Sequence, residues 1–174
     1  MADKNSIQSF LGAFNGGTRL NRFAVTTSGC ADIINDDTRF HIRAAATPSS
    51  NIVPLNINYF GRTVPIPGER TYDPWIITVL DDRGTRELYK KFKLWQKSIV
   101  DYGTGATIDT SKIGACKWTL EHYSNNNTTN KKAFTLYQAW PIEVGAFNLD
   151  MSQDNVLASF QVTIAYTHFD FSHT

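Results

Sequence analysis

The residues that could do chemistry are four histidines, two cysteines and a few clustered charges. His41, His122, His168 and His173 stand apart from one another and from the cysteines. A zinc site usually brings its ligands in short repeats such as CxxC or HExxH, because one turn of chain must aim two donors at one ion. Neither repeat occurs, and there is no GxSxG elbow and no glycine-rich phosphate loop. Asp81 and Asp82 are adjacent. Working carboxylate pairs need environments that push their pKa values apart, whereas neighbours between a strand and a helix suit a turn and a cap. Glu69 and Arg70 beside Asp73 read as a local ion cluster. Lys90, Lys91, Lys93 and Lys97 read as a solvated helix face, or as a contact for a partner. Cys30 and Cys116 are too few for a metal cluster. They are expected as free thiols in a reducing compartment, with a disulfide as the alternative. No catalytic residue, metal ligand or cofactor is assigned, and the chain reads as a non-enzyme.

The rest of the chain must therefore be read for what it builds. Its 174 residues fit one domain, and 41% apolar and 13% aromatic residues supply one core. A net charge of +1 with interspersed signs argues against a strongly basic nucleic-acid binder. No apolar run approaches the roughly 18 residues of a membrane span. The start, MADKNSIQSF, lacks the apolar centre of a secretory leader, so the protein is expected to stay in the cytoplasm where it is made.

Alternation with period two dominates. Residues 1–18 are a polar arm with a few apolar residues, including Phe10 and Phe14. It is either loose or ordered on a neighbour. Arg22–Thr27 is a strand with Phe23, Val25 and Thr27 on one face. Arg39–Ala46 sets Phe40, Ile42 and Ala44 against Arg39, His41 and Arg43, so it lies at a surface or lines something wet. Residues 47–68 read as a projecting hairpin. Pro54 keeps it from a central ladder position, and Ile52, Val53, Leu55, Ile57 and Phe60 are a heavy apolar load. Such a patch marks an interface, unless the segment folds back onto its own domain. Thr71–Leu80 is apolar on both faces and is expected to be covered on both.

From Thr85 the period changes. Leu88, Phe92, Trp95 and Ile99 recur as the stripe of an amphipathic helix over 85–100. Thr85 or Asp82 suits the N-cap, Glu87 the first turn, and Gly103 and Gly105 the end. Ala115–Tyr123 and Lys132–Trp140 flank the polar Ser124–Asn130, the signature of a hairpin. The sequons at Asn126 and Asn127 are read as coincidental. Pro141–Met151 sets Phe147, Leu149 and Met151 on one face. Val156–His168 is expected as the longest strand. Its apolar face holds Val156, Ala158, Phe160, Val162, Ile164 and Tyr166, and its polar face holds Ser159, Gln161, Thr163 and Thr167. A strand so divided belongs in an antiparallel sheet with one wet side. The fold class is mainly β: two packed antiparallel sheets, a sandwich or barrel, with one flanking helix. The expected core includes Trp75, Ile77, Leu88, Phe92, Trp95, Trp118, Phe134, Trp140, Phe160 and Val162.

Three passages in register resemble the tail tube family of contractile-tailed phages. They are Gly68-Glu69-Arg70-Thr71-Tyr72-Asp73-Pro74-Trp75 leading into Thr78-Val79, the Trp95-Gln96 pair ending the helix, and Tyr137-Gln138-Ala139-Trp140-Pro141-Ile142-Glu143-Val144-Gly145 running toward Leu149-Asp150 and the last strand. The resemblance spans residues 19–170, with 1–18 as an arm and 171–174 as a tail. It implies a virion protein, assembled in the host cytoplasm, that forms six-fold rings stacked into a tube conducting double-stranded DNA. It also implies partners in the tail sheath, the baseplate and the tail terminator, and no membrane. On that reading, Ser49, Ser50, Asn51, Ile52, Val53, Leu55, Ile57 and Phe60, with Phe10 and Phe14, contact the next ring. Ser159, Gln161, Thr163, Arg39, His41 and Arg43 face the channel. The family's channel is commonly acidic, and Arg39 and Arg43 depart from that. The same architecture also serves phage-derived injection devices and type VI secretion. A monomeric β-sandwich binding carbohydrate through its aromatics is the reading from another class.

Overall fold

The computed structural model describes residues 7–14, 18–30, 41–81, 88–106, 115–124, 127–147, 149–152 and 154–173. Its elements run α1 (Ile7–Phe14), β1 (Phe23–Ser28), β2 (Ile42–Ala45), β3 (Ser50–Tyr59), β4 (Arg62–Tyr72), β5 (Trp75–Leu80), α2 (Leu88–Ile99), β6 (Lys117–Ser124), β7 (Asn127–Tyr137), β8 (Trp140–Val144), β9 (Ser159–Ala165) and β10 (His168–His173). Two four-stranded antiparallel sheets form, one ordered β1-β6-β7-β10 and the other β2-β5-β9-β8. Among the described residues β3 and β4 pair only with each other.

The alternation explains what packs between the sheets. Trp75, Ile77 and Val79 from β5, Phe160, Val162 and Ile164 from β9, and Trp118, Leu120 and Leu136 from the other sheet are all buried. Trp75 and Trp118 meet edge to face across the interior, with ring centroids 5.7 Å apart. Helix α2 buries Leu88, Phe92, Trp95 and Ile99 against this core, and Phe92 lies 6.0 Å from Phe160 and 6.4 Å from Trp118. Lys93 Nζ and Gln96 Nε2 from the helix donate to the carbonyls of Val144 and Ile142 on β8. Phe134 and Trp140 are half-buried and pack on the rim of the core.

Several strand boundaries differ from the sequence reading, each for a local reason. Thr71–Leu80 is broken at Asp73-Pro74, where proline has no N–H for a ladder. Tyr72 therefore ends the hairpin and β5 starts at Trp75. Nor is β5 covered on both faces within the subunit, since Ile76 is 46% exposed. Val156–His168 is not one strand. The chain leaves β9 after Ala165 and enters the other sheet as β10, so Val156 lies outside the ladder, 62% exposed, and residues 171–173 of the expected tail continue that strand. Lys132–Trp140 also divides between sheets, turning at Gln138 with φ 54°. Beyond β8 the described residues up to 158 form no strand, and Leu149 and Met151 are fully exposed instead of sharing a packed face. A bulge between Ile42 and Ala44 shifts the alternation of β2. Ile42 then points inward while Arg43 and Ala44 are both exposed, so Ala44 does not share the face of Ile42.

Cys30 and Cys116 form a disulfide, overturning the expectation of free thiols. The β1–β6 register pairs Ser28 with Lys117, and just past the end of that ladder the two buried cysteines converge with Cα atoms 4.4 Å apart. Gly29 permits this approach, because its φ of +71° disfavours a side chain and a Cβ there would collide with the Ala115 carbonyl oxygen. The expected helix caps Asp82, Thr85 and Glu87, the turn at Asn35–Asp37, residues 107–113 of the expected loop Ala106–Ile113, and Arg39 lie outside the described residues.

Candidate functional site

Among the described residues the hairpin β3–β4 is the largest feature left uncovered, anchored at its base. Every residue from Ser50 to Thr71 is exposed, so it projects and does not fold back. Its ladder, from Ser50 to Tyr72, begins and ends later than the boundaries 47–68 suggest. Tyr59 pairs with Arg62 across the two-residue turn Phe60-Gly61, and both turn residues have positive φ, 46° and 73°. That is the geometry of a type I′ turn, whose twist matches the strands it joins.

Register sorts the hairpin into two unlike faces. Residues directly opposite in an antiparallel pair share a face. Leu55 with Ile66, Ile57 with Val64 and Tyr59 with Arg62 make one face, while Asn56 with Pro65 and Asn58 with Thr63 make the other. On the second face Thr63 Oγ1 donates to Asn58 Oδ1 at 2.9 Å. Among the described residues nothing covers the apolar face, and Leu55 is 57% exposed. Proline is tolerated in a ladder where its missing N–H would point away from the partner. Pro65 and Pro67 on β4 thus remove donors from the outer edge and discourage a further strand from adding there.

The base of the hairpin is held firmly. Ser49 Oγ donates to Asp73 Oδ2 at 2.7 Å, and the Tyr166 hydroxyl donates to the Ser49 carbonyl at 3.2 Å. Tyr72 packs on Tyr166 and Phe169, with centroids 5.9 and 5.7 Å away. Partial burial, and then the negative charge of Asp73, raise the pKa of Tyr166 above its usual value. The hairpin leaves the second sheet at the end where Trp75 pairs with Ile164. The opposite end, where Leu80 pairs with Ser159, opens onto the connection between β8 and β9.

The other assigned residues fall on separate surfaces. Helix α1 buries nothing, and Phe10 and Phe14 stack on its exposed side at 5.3 Å. On the second sheet, the face away from the core carries exposed Gln161 and half-buried Ser159 and Thr163, with Thr78 paired to Gln161 and Glu143 to Thr163. Arg43 is exposed on β2 at the edge of that sheet, and His41 is half-buried just before it. The hairpin residues Tyr59, Val64 and Ile66 belong with the assigned patch but were missed, because pairing register and not local composition puts them on its face. The exposed Leu149, Met151, Val156 and Leu157 were missed as surface as well. The density of Asp, Ser and Asn between them was the available signal for a loop, and Asp150 Oδ1 accepts from the Ser152 backbone N–H in such a turn.

Among the described residues no group of three or more His, Cys, Asp or Glu is placed to hold a metal ion, and no helix is long and apolar enough to cross a membrane. A protein-family model described as phage tail tube protein matches residues 13–172. The chain is 27% identical over 162 residues to tail tube protein gp19 of Enterobacteria phage T4, covering 91% of this chain and 95% of that protein. It is 25% identical to a tail tube protein of Serratia phage KSP90, covering 95% of each. Among solved structures it is similar to the tube terminating cap of the anti-feeding prophage, with TM-score 0.67, 13% identity and coverage of 90% of this chain and 91% of that one. It is also similar to a chain of the PVC extracellular contractile injection system sheath-tube complex, with TM-score 0.59, 14% identity and coverage of 98% and 100%. At such identities these two likenesses speak to the fold alone. The family match spans nearly the whole chain, hairpin and both sheets included, and the chain belongs to the phage tail tube protein family.

Proposed function

We propose that this protein is the structural subunit of a contractile phage tail, forming six-fold rings that stack into the tube through which double-stranded DNA is ejected. The observation that carries this reading is the projecting hairpin. An isolated two-stranded hairpin is marginal in water, and one with a continuous uncovered apolar face is an interface awaiting its partner. Stacking head to tail covers such a face in every subunit except those of the last ring. The open face of the β2-β5-β9-β8 sheet lines the channel in this arrangement. Its Thr78, Ser159, Gln161 and Thr163 present hydroxyl and amide groups, with Arg43 and Glu143 as opposed charges, a wall along which a polyanion slides without adhering. The residues outside the hairpin expected at the ring contact are Phe10 and Phe14.

Sheath, baseplate and tail terminator proteins are the further partners. Assembly is in the host cytoplasm and the final location is the virion. A phage tail is favoured over a protein-injecting device because the relatives with 25–27% identity are phage tail tube proteins. Electron microscopy of the purified protein tests the reading. Stacked rings or tubes are expected, and persistent monomers at high concentration would sink it. Replacing residues 51–71 by a short glycine-serine link should keep the thermal midpoint of the core but leave rings unstacked.

A further inference from the structure

A stacking hairpin needs a socket on the neighbouring copy. The hairpin leaves its sheet at the Trp75–Ile164 end, so a head-to-tail neighbour presents the other end, where Leu80 pairs with Ser159. There the β8–β9 connection exposes Leu149, Met151, Val156 and Leu157 at 90, 104, 62 and 70%. Leu149, Val156 and Leu157, but not Met151, line a concavity of about 750 Å³ together with Phe160, Thr78 and Gln161, so the hollow adjoins the proposed channel face. A hollow of this volume falls in the range that takes a drug-sized ligand. The Tyr59 and Phe60 rings, packed edge to face 4.5 Å apart at the hairpin tip, make an aromatic plug small enough to enter it.

The charges are complementary too. Between Pro54 and Pro67 the hairpin has a single charged residue, Arg62, whereas residues 145–158 have Asp150 and Asp154 and no base. The prolines of β4 disfavour docking by strand addition, which leaves the tip and the apolar face. We propose that the concavity between the β8–β9 connection and its sheet is the socket for the β3–β4 hairpin of a second copy, with Phe60 inserted and Arg62 beside Asp154. This rests on the tail tube reading. The contact joins two different surfaces and does not close on itself, so repeating it extends a filament.

The test uses the full chain with Phe60→Cys and Leu157→Cys, bridged by a short bismaleimide after assembly. A covalent ladder extending beyond dimers on a denaturing gel is expected, with no ladder from either single variant. Independently, Arg62→Asp should raise the concentration needed for tubes at least tenfold, and adding Asp154→Arg should restore it. Tubes that form without a ladder, or a charge reversal that Asp154→Arg does not rescue, would overturn the socket and leave the tail tube reading standing. Wild-type protein that never stacks would overturn both.

Discussion

Replacing Phe60 by Asn should separate folding from assembly, with opposite signs. Phe60 is locally the wrong residue twice over: 88% exposed, and held at φ 46° in a turn whose other member is Gly61. A bulky L-residue in the left-handed region costs about 1–2 kcal/mol, while Asn-Gly is the pairing such turns favour. Phe60→Asn should therefore leave the folded subunit as stable as before, or stabilise the hairpin by about 1 kcal/mol. At the ring junction the sign reverses. Burying a phenylalanine side chain contributes about 2 kcal/mol, a factor of about 30 in each contact. Six such contacts across one ring junction would sum to about 12 kcal/mol, before any loss to imperfect packing. Urea denaturation of the unassembled subunit and sedimentation of the assembled form read the two effects separately. The variant should unfold at an equal or higher urea concentration and stay in the supernatant under conditions where the wild type pellets as tubes. Equal tube yield would refute the placement of Phe60 at the junction. A lower urea midpoint would refute the account of the turn.

Two further outcomes follow from the core and the hairpin base. The Cys30–Cys116 bond spans 86 residues of sequence. The chain-entropy relation for a loop of that length gives about 4–5 kcal/mol of stabilisation. Comparing denaturation of the oxidised protein with the Cys30→Ser, Cys116→Ser variant should show most of it, and coincident transitions would count against the bond. Tyr166 should confer a dependence on alkaline pH. Its folded pKa is raised above the usual value near 10, so its contribution is fully present below pH 10 and declines as pH rises from there toward the folded pKa. Melting temperatures between pH 8 and 11.5 should fall less steeply for Tyr166→Phe than for the wild type. Parallel curves would remove Tyr166 as the cause.

Periodicity by itself determined the α2 stripe, the alternating inner faces of β5 and β6, the β6–β7 hairpin and the excursion with Phe60 at its turn. Each is a local matter, because a side chain's face follows from 3.6 or 2 residues per repeat, and Gly61 supplies the conformation its turn demands. What only the tertiary structure decided is where the chain changes sheet. Val156–His168 alternates without interruption in sequence, yet the ladder with β5 begins at Ser159 and ends near Ala165, and the residues beyond pair with β7. Alternation records which way a side chain points relative to its neighbours, not which strand lies beside it. The same limit hid the disulfide, since 86 residues of separation carry no sign of proximity until β1 and β6 pair. It also hid the sidedness of the hairpin, which depends on Leu55 facing Ile66, and the concavity proposed as its socket, whose exposed leucines look in sequence like one more buried strand. Surfaces completed by another copy of the chain look like core in the sequence because, in the assembly proposed, they are core.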